Sequence, residues 1–410
     1  MDKRRLSLLA IICVSNALIY TLPYLQSTYY DSMQAAYGFT HVQMGNLVGV
    51  FGACNIVAYF FGGVAADAFD TKKLFVFSMA ATGLAGLYSA TLPGYTSMLA
   101  LSIFWSFSTI LTFWPAMIKA VKNLADGAHQ GQVFSLKETM CCVITFGFSM
   151  LGLALFNFTG ENFVVLAVFY SVCHIIVAGL VYILMPSGTG TVRPDLKSLI
   201  GGMGKVLKLK GVWLIGFTIF FSQILSIIFG RFTPFLTGIC GMSASTVALI
   251  TIIGVNGFAN IGSIAGGRVA DALGSPSKFI SFVMVVCAVT AAVFLAIPWG
   301  VETAALCAGF SVVFRILNGA LRSVLFATMS QVDIPPRLTG TSSGLISIIG
   351  YRPDAFVYTL CGAVMESYPG QNAYFIIFSA MVVCALAGSL MAYTLHRYSI
   401  KLKKLKSAQI

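Results

Sequence analysis

Charge is what this sequence has least of. Asp, Glu, Lys and Arg make up 9% of its 410 residues, against roughly a quarter in ordinary soluble domains. With 58% of residues apolar, too little polar surface remains to keep a fold of this size in water, and a soluble globular protein is excluded. Histidine is scarce as well. His41, His129, His174 and His396 are scattered, and no Gly-x-Ser-x-Gly or His-Glu-x-x-His pattern occurs. No catalytic residue, metal ligand or cofactor is therefore expected. The Walker lysine loop of ATP-driven pumps is missing too. The ten cysteines show no Cys-x-x-Cys spacing and sit almost wholly in apolar runs; Cys240 alone lies near an outer connection, and no thiol is expected beside it.

What the chain does have is long apolar runs. A span needs roughly 20 mainly apolar residues to cross a hydrocarbon core of about 30 Å. Runs at 6–25, 44–66, 74–93, 97–118, 136–158, 163–185, 212–234, 244–266, 279–299, 303–326, 339–363 and 373–395 predict an all-α membrane protein of twelve transmembrane helices. The first run follows Lys3, Arg4 and Arg5, but it is too long for a signal peptide and Leu22-Pro23-Tyr24-Leu25-Gln26 has no small-residue cleavage pattern, so it reads as retained. The basic residues test this topology independently. Of the 25 Lys and Arg, Arg231, Arg315, Arg322 and Arg352 fall inside expected spans. With the N-terminus in the cytoplasm, every other one lies on the cytoplasmic side, while the outer connections carry Asp31, Glu161, Glu302 and Glu366. Both termini are thus expected in the cytoplasm, and the membrane is expected to be the cytoplasmic (inner) one. The net charge of +12 is topological: no basic soluble module exists for nucleic acid. The expected partners are the lipid bilayer and a small solute.

The polar stretch Pro186–Lys210 divides the chain into an N-terminal six-helix bundle (1–185), a cytoplasmic linker (186–210) with a short basic helix over 196–209, a C-terminal six-helix bundle (211–398) and a basic tail (399–410). The halves repeat a signature. After the second span the chain reads Gly63-Val64-Ala65-Ala66-Asp67-Ala68-Phe69-Asp70-Thr71-Lys72-Lys73, and after the eighth Gly267-Arg268-Val269-Ala270-Asp271-Ala272-Leu273-Gly274-Ser275-Pro276-Ser277-Lys278. Each has Gly-x-x-x-Asp, a large apolar residue and then a base. The pattern resembles the hallmark loop of the major facilitator superfamily, although Ala68 and Asp70 stand where that family usually has a base and a glycine. The resemblance implies two pseudo-symmetric six-helix bundles about a central cavity, rocking to expose one side at a time, as in transporters built from internal repeats. A monomer is expected. Gly63 and Gly267 are read as points of close helix approach, and Asp67 and Asp271 as acceptors at a neighbouring helix N-terminus. With Lys72, Lys73 and Lys278 as interfacial anchors, these residues form the expected gate.

A charge at membrane depth costs about 2.5–3.5 kcal/mol on insertion scales and so marks a cavity or a partner. Arg352 and Asp354 flank Pro353, whose missing N–H interrupts the eleventh span, and the tetrapeptide Tyr351–Asp354 is the leading site candidate. Two residues apart, they do not share a helix face. Arg315 and Arg322 are two turns apart on one face with Asn318, and Arg315 is read as a solute contact or a partner of Asp354. Arg231 sits near the outer end of the seventh span. Glu138, beside Lys137, and Asp354 are candidate proton sites. His174 is read as packing. Polar and aromatic positions on helices that the resemblance assigns to the cavity are Tyr20, Tyr24, Asn55, Trp105, Trp114, Gln223, Asn256 and Asn260, with Asn16 beside them. The arginine excess favours an anionic solute. Trp114-Pro115 and Thr233-Pro234 weakly resemble the organic-anion and organophosphate branches. The first span lacks any charge after Arg5, and Ser226 stands where phosphate antiporters carry an arginine, which disfavours a phosphate ester. The expectation is a secondary transporter of an organic anion, such as a sugar acid or carboxylate, coupled to protons or to anion exchange. The alternatives are a neutral or phosphorylated sugar as solute, and a non-transporting membrane sensor.

Overall fold

Helix is the regular structure that the chain adopts throughout the described residues, which in the computed structural model are 3–124, 130–187, 204, 206–334 and 339–407. Before the linker come α1 (Lys3–Ile19), α2 (His41–Ala68), α3 (Thr71–Ser89), α4 (Tyr95–Leu124), α5 (Gln130–Phe158) and α6 (Phe163–Leu184). After it come α7 (Lys210–Gly238), α8 (Ala244–Ala272), α9 (Pro276–Leu295), α10 (Ala304–Gln331), an interrupted α11 (Thr339–Gly350, Arg352–Ala355, Val357–Ser367) and α12 (Gln371–Ser407). Among the described residues nine helices are long and apolar enough to cross a membrane: α2, α4 to α10 and α12. The other three are α1, of 17 residues, α3, which opens on Thr71-Lys72-Lys73, and α11, which is broken. Val143, Phe158 and Ile183 are largely exposed, as lipid-facing positions require.

Local chemistry starts these helices. Thr40 and Gln43 close a reciprocal capping box at α2, with Gln43 N–H donating to Thr40 Oγ1 at 3.2 Å and Thr40 N–H to Gln43 Oε1 at 3.0 Å. Asp70 accepts from Lys73 N–H at the start of α3, and Asn162 accepts from Val164 and Val165 N–H at the start of α6. Ser275, followed by Pro276 in the first turn, does the same for α9. So the residue that replaces the family's usual glycine at position 70 is a helix cap.

The chain forms two compact units, Met1–Pro194 with Ser243–Ile252, and Asp195–Met242 with Ile253–Ile410. The start of α8 belongs to the first for visible reasons. Ala248 and Ile252 lie in its apolar core, and the Glu161 carboxylate accepts from Ser245 N–H at 3.1 Å and from the Ser245 hydroxyl at 2.5 Å. That carboxylate meets the positive end of the helix dipole. Glu161 reaches it from a tight turn in which Gly160 and Glu161 have φ of 68° and 65°.

In the second unit, α8 and α10 touch backbone to backbone. A Cβ at Gly262 would run into the carbonyl of Ile316, one at Gly319 into the carbonyl of Ala259, and one at Gly266 into Ala320. Small residues at such contacts are what membrane helices use to pack closely. The signature singles out Gly267 for this work, and the structure corrects it. A Cβ there would meet nothing within 4 Å, because one residue along a helix turns the side chain by about 100°, and it is Gly266 that faces α10.

The gate residues are dispersed. Gly63 and Asp67 are placed as part of α2, and nothing further is described of the Asp67 side chain. Lys72 Nζ stands 4.9 Å from the centre of the Tyr182 ring, and Lys73 and Asp271 are exposed. Ala66, at the end of α2, has its carbonyl bound by Lys119 Nζ at 2.7 Å, a cation at a helix C-terminus. At the α8–α9 connection the organising group is Ser275, which bonds His396 Nδ1 and Gln331 Nε2 at 2.9 Å each. The exposed Lys278 takes part through its backbone N–H, at 3.4 Å from Ser275 Oγ. The basic helix expected over 196–209 falls mostly outside the described residues, and 399–407, expected as a tail, continue α12. All ten cysteines are free. Cys240 nonetheless has a neighbouring thiol, Cys307 in the first turn of α10, within side-chain hydrogen-bond reach.

Candidate functional site

Three elements of the second unit bring the charges of the expected spans together: Arg231 is buried, Arg315 and Asp354 are half-buried and Arg322 is exposed. On α7, Gln223 and Ser226 are three residues apart and so share a face; on α10, Arg315, Asn318 and Arg322 recur at i, i+3 and i+7. The two helices are tied by the Ser226 hydroxyl, which donates to Asn318 Oδ1 at 2.6 Å. The third element is α11 at its break. Tyr351 N–H still bonds Ser347 O, but the backbone then tightens into a 3₁₀ turn over Arg352–Ala355, with Asp354 N–H on Tyr351 O at 3.1 Å and Phe356 N–H on Pro353 O at 3.1 Å. This turn aims Asp354 at α7, where Gln223 Nε2 donates to Asp354 Oδ1 at 2.8 Å. Arg352 points elsewhere and is exposed, so the two do not share a face.

Arg322, not Arg315, lies within Coulombic reach of Asp354. Arg315 is placed by a glycine: its Cγ would stand 3.2 Å from a Cβ added at Gly254, the first residue of a π-helical turn, Gly254–Phe258, inside α8. Such turns are rare and cluster at functional sites. Asn256 lies in this turn, and Asn260 Nδ2 donates back to its carbonyl at 2.7 Å. A second π-turn, Phe107–Leu111, interrupts α4 in the first unit.

One residue with no expected role joins these groups. Tyr358, four residues after Asp354, lies beneath the Arg231 guanidinium, 5.4 Å from ring centroid to Cζ. Arg322 and Asp354 act on its phenol electrostatically, and so does Arg315. Arg231 itself is only 3% exposed, whereas Tyr358, Arg315 and Asp354 each keep part of their surface open while enclosed on most sides by protein.

The first-unit candidates are mostly bonded between helices. The Ser106 hydroxyl donates to Asn55 Oδ1 at 2.8 Å, joining α4 to α2, and Trp105 Nε1 donates to Thr82 O at 3.4 Å, joining α4 to α3. Tyr24 packs edge-on against Phe51, and Trp114 lies against the apolar core. Tyr20 is half-buried and has no hydrogen-bond partner for its hydroxyl among the described residues. Asn16 Nδ2 lies 3.4 Å from Cys141 Sγ. His174 is fully buried, with Nδ1 on Tyr170 O at 2.7 Å. The Glu138 side chain, 71% exposed, pairs at 2.9 Å with the buried amine of Lys137.

Apolar helices long enough to cross a membrane, with arginines and a carboxylate gathered among α7, α10 and α11, are the build of a membrane carrier. The chain belongs to the Major Facilitator Superfamily, whose family model matches residues 7–353, and it is a transporter of that family, not an enzyme. Two Escherichia coli K12 proteins are similar to it. Inner membrane protein YihN is 27% identical over 419 residues, covering 100% of both chains. Inner membrane protein YqcE is 26% identical over 386 residues, covering 90% of each. Among solved structures, that of a mutant of the nucleoside transporter NupG superposes with a TM-score of 0.78 at 12% identity, over 96% of this chain and 100% of that one. A bacterial homologue of the human lysosomal transporter Spinster gives 0.73 at 13% identity, over 98% of each. At these identities the structures establish the fold.

Proposed function

We propose that the chain moves a small organic anion, a sugar acid or carboxylate, across the cytoplasmic membrane by alternating access, as a monomer with both termini in the cytoplasm. The observation that carries this reading is the gathering of Arg231, Arg315 and Arg322 around Tyr358 and Asp354. Three guanidinium groups and one carboxylate around the same phenol leave a positive excess, which a carboxylate solute neutralises through charge-assisted hydrogen bonds. The paired side chains, Gln223 with Asp354 and Ser226 with Asn318, suit the hydroxyl groups of a sugar acid. Arg352, exposed beside the break, is proposed as a first contact for the arriving anion. Asp354, held among the site side chains, is the proposed proton carrier, in preference to the exposed Glu138.

A second reading, a neutral polyhydroxylated solute, draws on those same uncharged pairs. A thermal-stability screen of purified protein decides between them, since a ligand present at about a hundred times its Kd adds about 2.7 kcal/mol to the folded state. Sugar acids and carboxylates are expected to stabilise the protein, and Arg315→Leu is expected to remove that response while the variant still folds. Stabilisation by neutral sugars alone, undiminished in Arg315→Leu, refutes the anionic reading. Uptake unaffected by a proton uncoupler removes symport and leaves exchange.

A further inference from the structure

We infer that Tyr358 is the aromatic residue that meets the solute, and that Arg231, buried behind its ring, is a positioning residue that acts through it. The inference rests on the reading of this cluster as the solute site. Arg231 is an obvious anion binder from sequence, being an arginine at membrane depth, yet almost none of its surface is open. It stands instead over the face of the Tyr358 ring, where the negative face of the π system attracts a cation. Tyr358 keeps open surface.

The two arrangements have different consequences. An arginine that touched solute would supply a charge and a bidentate fork. An arginine behind a phenol fixes the ring angle and, with Arg315 and Arg322 nearby, polarises the O–H so that it donates more strongly to an anion. A ring with two rotatable angles presents this donor at low cost in conformational freedom. Tyr358 thereby becomes a specificity-determining residue: its O–H and the Arg315 guanidinium offer converging donors that a carboxylate fills with both oxygens.

Two measurements test this without knowing the solute. First, Tyr358→Cys in the otherwise unchanged chain is exposed to water-soluble methanethiosulfonates, one anionic (sulfonatoethyl) and one cationic (trimethylammonium-ethyl), with modification of position 358 followed by mass spectrometry. Relative to the same reagents on a small free thiol, the anionic reagent is expected to gain about tenfold over the cationic one, and added Arg231→Met is expected to reduce that gain severalfold. No reaction with either reagent, or a cationic preference, overturns the inference. Second, a double-mutant cycle of Arg231→Met with Tyr358→Phe and Tyr358→Leu is read by thermal unfolding. Phe retains the ring and is expected to keep the coupling to Arg231; Leu is expected to lose it, so that Arg231→Met has little further effect on the Leu variant. Additive effects overturn the inference, and the cycle decides the matter even where the cysteine variant fails to fold. The stabilisation screen with sugar acids can fail while this labelling pattern holds, so the solute class and the role of Tyr358 stand or fall separately.

Discussion

Replacing glycine by alanine at two positions of α10 should move stability in opposite directions. Both Gly309 and Gly319 lie inside the helix, where alanine is favoured over glycine by about 1 kcal/mol. At Gly309 the new methyl meets nothing within 4 Å, so the propensity term acts alone and the variant should gain a few tenths to about 1 kcal/mol. At Gly319 the methyl would overlap the carbonyl carbon and oxygen of Ala259 on α8. The obstacle is backbone and cannot swing aside, so the contact opens only if the two helices separate. Overpacking of this kind costs about 1–3 kcal/mol, and the rigid partner places the cost at the upper end. Since the propensity term is common to both variants, the difference between them isolates the helix contact, and it should be about 3 kcal/mol in favour of Gly309→Ala. The assay is thermal unfolding of both purified proteins in one detergent, followed by tryptophan fluorescence. Equal transition temperatures, or a more stable Gly319→Ala, would refute the close approach of α8 and α10, and with it the placement of Arg315 beside Gly254.

Two further substitutions test separate parts of the structure. Gln223→Leu removes the donor to Asp354 Oδ1 and should destabilise the protein by about 1–3 kcal/mol, the cost of an enclosed acceptor left unsatisfied; an unchanged melting temperature would show that the bond does not form. Thr40→Ala deletes half of the α2 capping box and should cost about 1 kcal/mol with solute binding unaltered, whereas an effect on binding would show that this turn participates in transport.

Hydropathy is a one-dimensional property, and the helical runs are accordingly legible from the residues alone. So is the break in α11, because Pro353 lacks an N–H wherever it is placed, and so is the divergence of Arg352 from Asp354, which follows from their spacing. The π-turns of α4 and α8 are not legible. A shift from i→i+4 to i→i+5 bonding depends on what the neighbouring helix presses against, here the Arg315 side chain against Gly254. The choice of Gly266 over Gly267 as the contact is hidden for a related reason: a signature loop identifies a helix end, while helix phase relative to a neighbour is decided by packing.

The candidate site shows the same division more sharply. An arginine in an apolar run is conspicuous, and all four stand out in the sequence; how deep each one lies is a tertiary property. Arg231 and Arg315 look equivalent in the sequence, yet one is sealed behind a ring and the other keeps an open surface. The residue that separates them, Tyr358, is one of 16 tyrosines and 33 phenylalanines and carries no charge to single it out. It follows Asp354 by four residues, but Phe356 between them, with φ of −141°, is not helical, so helix phase does not carry from one to the other. What brings Tyr358 to Asp354, and makes it the proposed solute contact, is therefore the tertiary seat of its ring beneath the Arg231 guanidinium, which no periodicity in the sequence displays.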